Sequence, residues 1–278
     1  MWSLRTNDPK DFTGLSGYFD LVVVDAPCSG EGLFRKDEAA MKEWSEDNVN
    51  LCALRQRRIL SDVWPSLKEN GVLIYCTCTY NEAENEDNLK WLSQQKDIEF
   101  IDLPTFEGVE KTSGYRLMPH KVKGEGFFIA AIRKKSKEET VRIRPSNLKL
   151  SKTNPGWLNG DFKYYELNDL LIAVLQDDIP NLNIVTRGVA VATITKNKLV
   201  PEHSLALSTH LNKDSFPIID VNKTEALKYL AKDTIAPTDS ERGFALMRYD
   251  GNHLGFVNRL GNRINNLYPA NWRIRMKI

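Results

Sequence analysis

Two stretches in the first third of the chain restrict its fold more than any others: FDLVVVDAPCSGEG at residues 19–32 and GVLIYCTCTYNEAENE at residues 71–86. Each is a run of apolar, largely β-branched residues that ends abruptly in small, polar and thiol side chains. Such a run reads as a buried strand of a parallel sheet, and open α/β sheets carry their chemistry at the carboxyl ends of those strands.

The intervening pattern agrees. The first strand is expected at residues 19–24, followed by a loop marked by Pro27, Gly30 and Gly32. Helical spacing of Val49, Leu51, Cys52, Ile59, Leu60, Val63 and Trp64 predicts a helix over residues 48–67, stopped by Asn70-Gly71. A second strand follows at 72–75, then a helix at 82–94 whose first turns hold Glu82, Glu84, Glu86 and Asp87, where negative charge suits the helix dipole. Strands at 98–103 and 126–133 complete a β-α-β-α-β-β order, the later half of a doubly wound α/β sheet.

A change of regime begins near residue 135, where KKSKEE leads into Arg142, Arg144, Lys149, Lys152 and Asn154-Pro155-Gly156. This reads as a charged linker over residues 135–158, separating a domain at 1–134 from one at 159–278. The second region has strand-like runs at 162–167, 170–175, 188–194 and 243–249 and a helix near 223–230, which predicts a small mixed, β-rich domain.

The net charge of +1 hides an asymmetry. Residues 1–140 carry 19 Lys and Arg against 24 Asp and Glu, a net of −5, and the remainder has a net of +6. A basic second half is the part suited to meet a polyanion, although a solvated basic face has the same composition. The absence of a long apolar run argues against a membrane span, and a cytoplasmic protein is expected.

The four cysteines, Cys28, Cys52, Cys76 and Cys78, are then expected as reduced thiols. Only one C-x-C pair occurs, and His120, His203, His210 and His253 form no local ligand pair, so no metal is expected. If the two strands are adjacent and parallel, Cys28 and the Cys76–Cys78 turn share one crevice. Asp25 ends the first strand as a hydrogen-bond acceptor, Pro27 stiffens the approach to Cys28, and backbone amides at such loops favour a thiolate. Each cysteine taken singly reads equally well as a small core hydrophobe.

DAPCSGEG followed about fifty residues later by YCTCTYNEAENE resembles motifs IV and VI of the Fmu/Sun family of RNA cytosine-C5 methyltransferases. The intervening LCALRQRRIL and the later RLMPHKVKGEGFFIA are similar to further family segments. The resemblance implies S-adenosylmethionine as cofactor and RNA as partner. Cys78 would be the nucleophile that adds to C6 of cytosine, and Cys28 would assist loss of the C5 proton and release of product. Asp25 would hydrogen-bond the N3/N4 edge of the base and lie near the cofactor. Cys76 and Cys52 are assigned to packing. Glu84, Asn85 and Glu86 match the family's ENE signature, with helix capping and support of the Cys78 loop as one role and substrate contact as the other. Gly124 and Gly126 would permit a tight strand entry, and Phe127 and Phe128 are expected in the core.

The end of the chain, VPEHSLALS at 200–208 and GFALMRYDGNHLGFVNRLGNRINNLYPANWRIR at 243–275, resembles the PUA-like RNA-binding domain of bacterial family members that act on 16S ribosomal RNA. Arg259, Arg263, Arg273, Arg275 and Lys277 would meet phosphates, and Tyr268 and Trp272 would stack on bases or else close the domain's core.

The fold expected is therefore a partial Rossmann-like methyltransferase sheet, later strands only, followed by the PUA-like domain. The family's Gly-rich, APGGK-like cofactor loop does not occur in this sequence, and Asn7 and Asp8 resemble the end of a cofactor-contacting segment. The 19–24 strand would then sit at a sheet edge, apolar and exposed, which invites pairing with another chain or copy. Two readings follow: the catalytic and RNA-binding portion of a cytosine-C5 methyltransferase that this chain alone does not complete, or a non-catalytic RNA-binding fragment of such an enzyme.

Overall fold

The computed structural model describes residues 3–137, 139–141, 149–175, 182–196, 198–236 and 240–276. These divide into two units, Asn7–Ile143, and Arg144–Ile278 together with Met1–Thr6. Strand β1 (Ser3–Arg5) falls in the latter unit because it pairs antiparallel with Ile184–Arg187.

The unit at Asn7–Ile143 opens with a turn of 3-10 helix at Pro9–Leu15, capped by Asp8. It then contains β2 (Phe19–Asp25), α1 (Glu38–Glu43), α2 (Glu46–Val63), β3 (Leu67–Thr77), α3 (Glu86–Gln95), β4 (Ile98–Ile101), β5 (Val109–Lys111), β6 (Tyr115–Leu117) and β7 (Phe127–Lys134). The sheet order is β2-β3-β7-β6-β5, with β4 sharing the far side of β7 with β6. β2 and β3 are parallel, and every pairing of β7 is antiparallel.

Period-two alternation assigns the faces. Val24, Leu73, Tyr75, Phe128, Ala130 and Ile132 pack against Leu60 of α2 and Leu89 and Leu92 of α3 in one core. On β2 the alternate residues Leu21 and Val23 are 53% and 58% exposed, and the strand forms one edge of the sheet. The expected edge strand is therefore observed, with an apolar outer face.

The end of α2 differs from the expectation. Asn70-Gly71 does not stop the helix: Pro65 does, in a 3-10 turn at Trp64–Ser66, because its ring cannot continue the i to i−4 ladder. Asn70 instead sits inside β3 with φ 62°, where the register against β2 shifts. The carbonyls left by this turn find a partner in Lys134, whose fully buried ammonium donates to Trp64 O at 3.0 Å and Leu67 O at 2.9 Å and lies 5.7 Å from the Trp64 ring. The last helix begins at Glu86, four residues later than its acidic run suggested, and leaves Glu82 and Glu84 in the turn before it.

The other unit continues with β8 (Lys163–Leu167), β9 (Leu170–Val174), β10 (Ile184–Arg187), β11 (Val189–Thr195), β12 (Lys198–Pro201), α4 (His203–Ala206), β13 (Ile218–Asp220), α5 (Lys223–Ala231), β14 (Arg242–Tyr249), β15 (Asn252–Leu260) and β16 (Ile264–Asn266). Two four-stranded sheets, β12-β11-β9-β8 and β13-β14-β15-β16, share a core that includes Leu171, Val191, Leu205, Leu246 and Phe256. Asn222 and Glu225 form a capping box that starts α5. β14 and β15 form a hairpin around Asp250-Gly251, both at positive φ, as a two-residue hairpin turn requires.

Replacing Lys134 with Met keeps the volume but leaves the Trp64 and Leu67 carbonyls without this donor. The expected cost is about 2 kcal/mol in urea unfolding; an unchanged midpoint would show that the ammonium contributes nothing net.

Candidate active site

The parallel pairing of β2 with β3 places Asp25 opposite Cys76, so the chain leaves both strands at the same level. Beyond that level, two loops bring Cys28 and Cys78, fifty residues apart in sequence, to a sulfur–sulfur distance of 2.8 Å. Cys28 and Cys78 are both free and half-buried.

Each loop is held by buried polar groups. Thr77 Oγ1 donates to Asn85 Oδ1 at 2.7 Å, and Asn85 Nδ2 returns to the Thr79 carbonyl at 3.1 Å, closing the turn that carries Cys78. Glu31, 8% exposed, accepts from Thr79 Oγ1 at 3.0 Å, Asn81 Nδ2 at 3.1 Å and Trp44 Nε1 at 3.1 Å. Glu84 is fully buried and accepts from the Ser29 amide at 3.0 Å and from Gln56 Nε2 at 2.8 Å. Burial pushes the Glu84 carboxyl above the usual carboxylate range, against the hydrogen bonds from Ser29 and Gln56.

The loops also meet the segment entering β7 at very close range. Gly32 N donates to Cys78 O at 2.9 Å and Gly126 N to Gly32 O at 3.3 Å. A Cβ on Gly32 would fall 2.2 Å from Gly126 O, and one on Gly126 would fall 2.7 Å from Gly32 Cα. The two Gly-Glu-Gly segments, 30–32 and 124–126, thus cross where side chains do not fit.

The thiols differ in character. The hydrogen bond from Cys28 pulls the Cys78 thiol down to about 7, outweighing burial and the nearby charges of Asp25 and Glu84. The same contact, with burial, pushes Cys28 upward, so the pair holds one proton and Cys28 keeps it. Burial pushes Cys76 up to about 11 and also raises Cys52, which lies on α2 with Asn48 Oδ1 at 3.8 Å. These two thiols are inert by comparison.

Asp25 ends β2 with its side chain exposed and lines a groove of about 420 Å³ along the β2 edge, together with Asn7, Phe12, Leu21, Ile59 and Val63. Asp8 does not line this groove, whereas its neighbours Asn7 and Pro9 do. The Asp8 carboxylate accepts from Lys10 N at 3.2 Å, which holds its carboxyl below the usual range, and pairs with Arg58 at 3.2 Å. Glu86 pairs with Arg116 at 2.6 Å and accepts from Thr112 Oγ1 at 2.7 Å, so it anchors α3 to the loops beside β6. Phe128 is fully buried and Phe127 half-buried.

In the other unit, Arg263, Arg273, Arg275 and Trp272 are exposed. Arg259 is not: its side chain is 6% exposed and its guanidinium lies 2.6 Å from the Glu241 carboxylate. Tyr268 packs edge-on against Tyr229 and His203 within the small core, and Trp272, also edge-on to His203, is 61% exposed. Lys277, Arg142 and Arg144 lie outside the described residues. Among the described residues no group of three or more His, Cys, Asp or Glu is placed to hold a metal, and no helix is long and apolar enough to cross a membrane.

No local pattern in the chain ties Glu84 to the Ser29 amide or marks Gln56 and Glu31 for the site. The signal for Gln56 is its position: the buried stripe of α2 is Val49, Ala53, Gln56 and Leu60, a polar amide on an otherwise apolar face.

Comparison with known proteins adds to this geometry. Residues 3–133 match the family model described as 16S rRNA methyltransferase RsmB/F. Residues 216–274 match the model described as the methyltransferase RsmF PUA domain. A ribosomal RNA small subunit methyltransferase F of Vibrio vulnificus is 30% identical over 300 residues, which cover 96% of this chain and 62% of that protein. A protein of the same description from Psychromonas ingrahamii is 44% identical over 134 residues, 46% of this chain and 28% of its own length. A solved structure titled "The crystal structure of NSun6 from Pyrococcus horikoshii with SFG" is 27% identical over 47% of this chain and 34% of its own, with a TM-score of 0.40. The chain thus spans about six tenths of the length of a curated relative that it matches almost throughout.

The thiol pair makes a direct prediction. Alkylation of Cys78 by iodoacetamide, followed by peptide mass spectrometry, is expected to rise through a midpoint near pH 7, because the depressed thiol is ionised above that value and protonated below it. Cys28→Ala should move the midpoint upward by removing the donor. A midpoint that stays in place would remove Cys28 as the cause.

Proposed function

We propose that the chain belongs to the RsmB/F family of 16S rRNA methyltransferases, whose models residues 3–133 and 216–274 match, and that it carries the thiol centre for methylating cytosine C5 in RNA, with 16S ribosomal RNA as the substrate. The observation that carries this reading is the 2.8 Å contact between Cys28 and Cys78 at the ends of adjacent parallel strands.

Cytosine C5 is not nucleophilic enough to take a methyl group unaided, and addition of a thiolate to C6 makes it so. Cys78, the sulfur with the lowered pKa, forms the C6–S bond, and the electron pair of the C5–C6 double bond becomes available at C5. The Asp25 carboxylate accepts from the N4 amino group of the base and orients the ring for attack. S-adenosylmethionine, when bound, supplies the methyl group.

Release needs a base at the same place. Cys28 holds its proton while Cys78 is a thiolate; once that sulfur is bonded to carbon, the charge and the hydrogen bond that kept Cys28 protonated are gone. Its thiol then falls back toward the ordinary range, with burial still holding it up, and the fraction that gives its proton to water is the base. The Cys28 thiolate takes the C5 proton, the C5–C6 double bond re-forms, the C6–S bond breaks, and Cys78 leaves with its electron pair. One sulfur therefore serves as nucleophile and the other as base, in sequence.

The groove beside Asp25 fits the cofactor in size and character: about 420 Å³, with aromatic and aliphatic walls and polar groups from Asn7 and Asp25. Asn7 and Asp25 would hold it, and Asp8, next to Asn7, would act through the capping box that starts the 3-10 turn and through its pair with Arg58. In the other unit Arg263, Arg273, Arg275 and Trp272 form the surface for RNA, while Arg259 and Tyr268 support it from within.

In a form of the protein that includes the family's cofactor loop, supplied with 16S rRNA and S-adenosylmethionine, Cys28→Ala is expected to accumulate a denaturation-resistant protein–RNA adduct, and Cys78→Ala to give neither adduct nor methylation. Methylation by the Cys78→Ala protein would overturn the assignment. Arg273→Ala with Arg275→Ala should weaken RNA binding and reduce the slope of log K against log salt by about 2; an unchanged slope would take the tail off the binding surface.

A further inference from the structure

The buried polar residue on the inner stripe of α2 has a geometry that points at the site. Gln56 is fully buried, and both of its amide protons are used. Nε2 donates to the Pro27 carbonyl at 2.9 Å and to Glu84 Oε2 at 2.8 Å. Oε1 accepts from Asn88 Nδ2 at 2.7 Å, and Asn88 Nδ2 is also bound to the Glu84 carbonyl at 3.1 Å. Asn88 Nδ2 donates on that side, so the amide of Gln56 is oriented with its NH2 group toward the Cys28 loop.

We propose that Gln56 is a positioning residue that fixes the direction of the Cys28 thiol by holding the peptide units on both sides of it. Pro27 has one soft backbone dihedral, since its ring sets φ; the direction of its carbonyl sets ψ. Gln56 grips that carbonyl and so determines how the chain enters Cys28. On the far side of Cys28, the Ser29 amide is held by Glu84, whose carboxylate is held by the same NH2 group. A single side-chain amide therefore brackets Cys28, and the 2.8 Å approach of its sulfur to Cys78 depends on it. The assignment deepens the methyltransferase reading and rests on it for its meaning in a reaction.

Its test does not require the reaction. Gln56→Met preserves length and apolar fit but supplies no donor, so the Pro27 carbonyl swings free and Cys28 no longer donates steadily to Cys78. In the intact chain, the midpoint of Cys78 alkylation against pH should move from about 7 toward the ordinary 9.0, slowing labelling at pH 7 by about fivefold or more. A core substitution away from the loop, Ile132→Val, should lower the unfolding temperature and leave the Cys78 profile in place, which separates positioning from general loosening. A folded Gln56→Met protein with the original Cys78 profile would overturn the proposal. If Gln56→Met does not fold, the unaltered protein decides by side-chain amide NMR. The Gln56 Nε2 resonance should shift with a midpoint near 7 as Cys78 titrates, and a resonance insensitive to pH across that range would refute the coupling. Loss of methylation with an unmoved thiol profile would count against Gln56 while leaving the methyltransferase reading intact; a moved profile in a protein that never methylates RNA would do the reverse.

Discussion

Everything at this site depends on the parallel register that sets Asp25 of β2 against Cys76 of β3. Side chains alternate along a strand, so a slip of one residue would exchange inner and outer faces and put Thr77 or Thr79 where Cys78 now meets the Cys28 loop. The register is held by the core beneath it, where Val24, Leu73 and Tyr75 face α2 and α3. It is held above by the crossing of Gly32 and Gly126, which brings three chain segments closer than any side chain allows. The thiol contact is the summit of this arrangement and not an independent feature.

The electrostatics of the crevice run against the chemistry and are overcome locally. Glu31 and Glu84 are buried carboxyls, and Asp25 is exposed at the end of β2; Asp25 and Glu84 both disfavour a second negative charge at Cys78. A thiolate forms there because Cys28 donates to it at short range, where one hydrogen bond exceeds the summed effect of more distant charges. The two carboxyls are tolerated because each is satisfied by several donors, and in that state they work as rigid acceptors that fasten backbone amides and side chains around the sulfurs. Burial that costs free energy in isolation here fixes geometry.

Much of this was legible in the chain. The two β-branched runs ending in thiols identified the strands, their order and their shared crevice, and the PCS and TCT segments separated Cys28 and Cys78 from Cys52 and Cys76. The apolar edge of β2 was readable as well, from the strand order that the resemblance implies. Local signals failed where tertiary context reassigned them. Asn70-Gly71 has the composition of a helix stop but sits in a strand irregularity, because Pro65 had already ended the helix. Arg259 counts as a positive charge in any composition, yet it is spent on Glu241 inside the fold. Gln56 was visible only as a polar break in an apolar stripe; what it touches lies 28 to 32 residues away, beyond any local pattern.

The claim most open to a direct test is that the two thiols have unequal jobs, with Cys78 bonding the base. A ribosomal RNA substrate carrying 5-azacytosine has no C5 hydrogen to lose, so an adduct formed by addition to C6 is not released. After digestion, mass spectrometry of the trapped complex reads which cysteine holds the nucleotide. The mass of the nucleotide is expected on the peptide containing Cys78, with Cys28 unmodified. Attachment at Cys28 would contradict it.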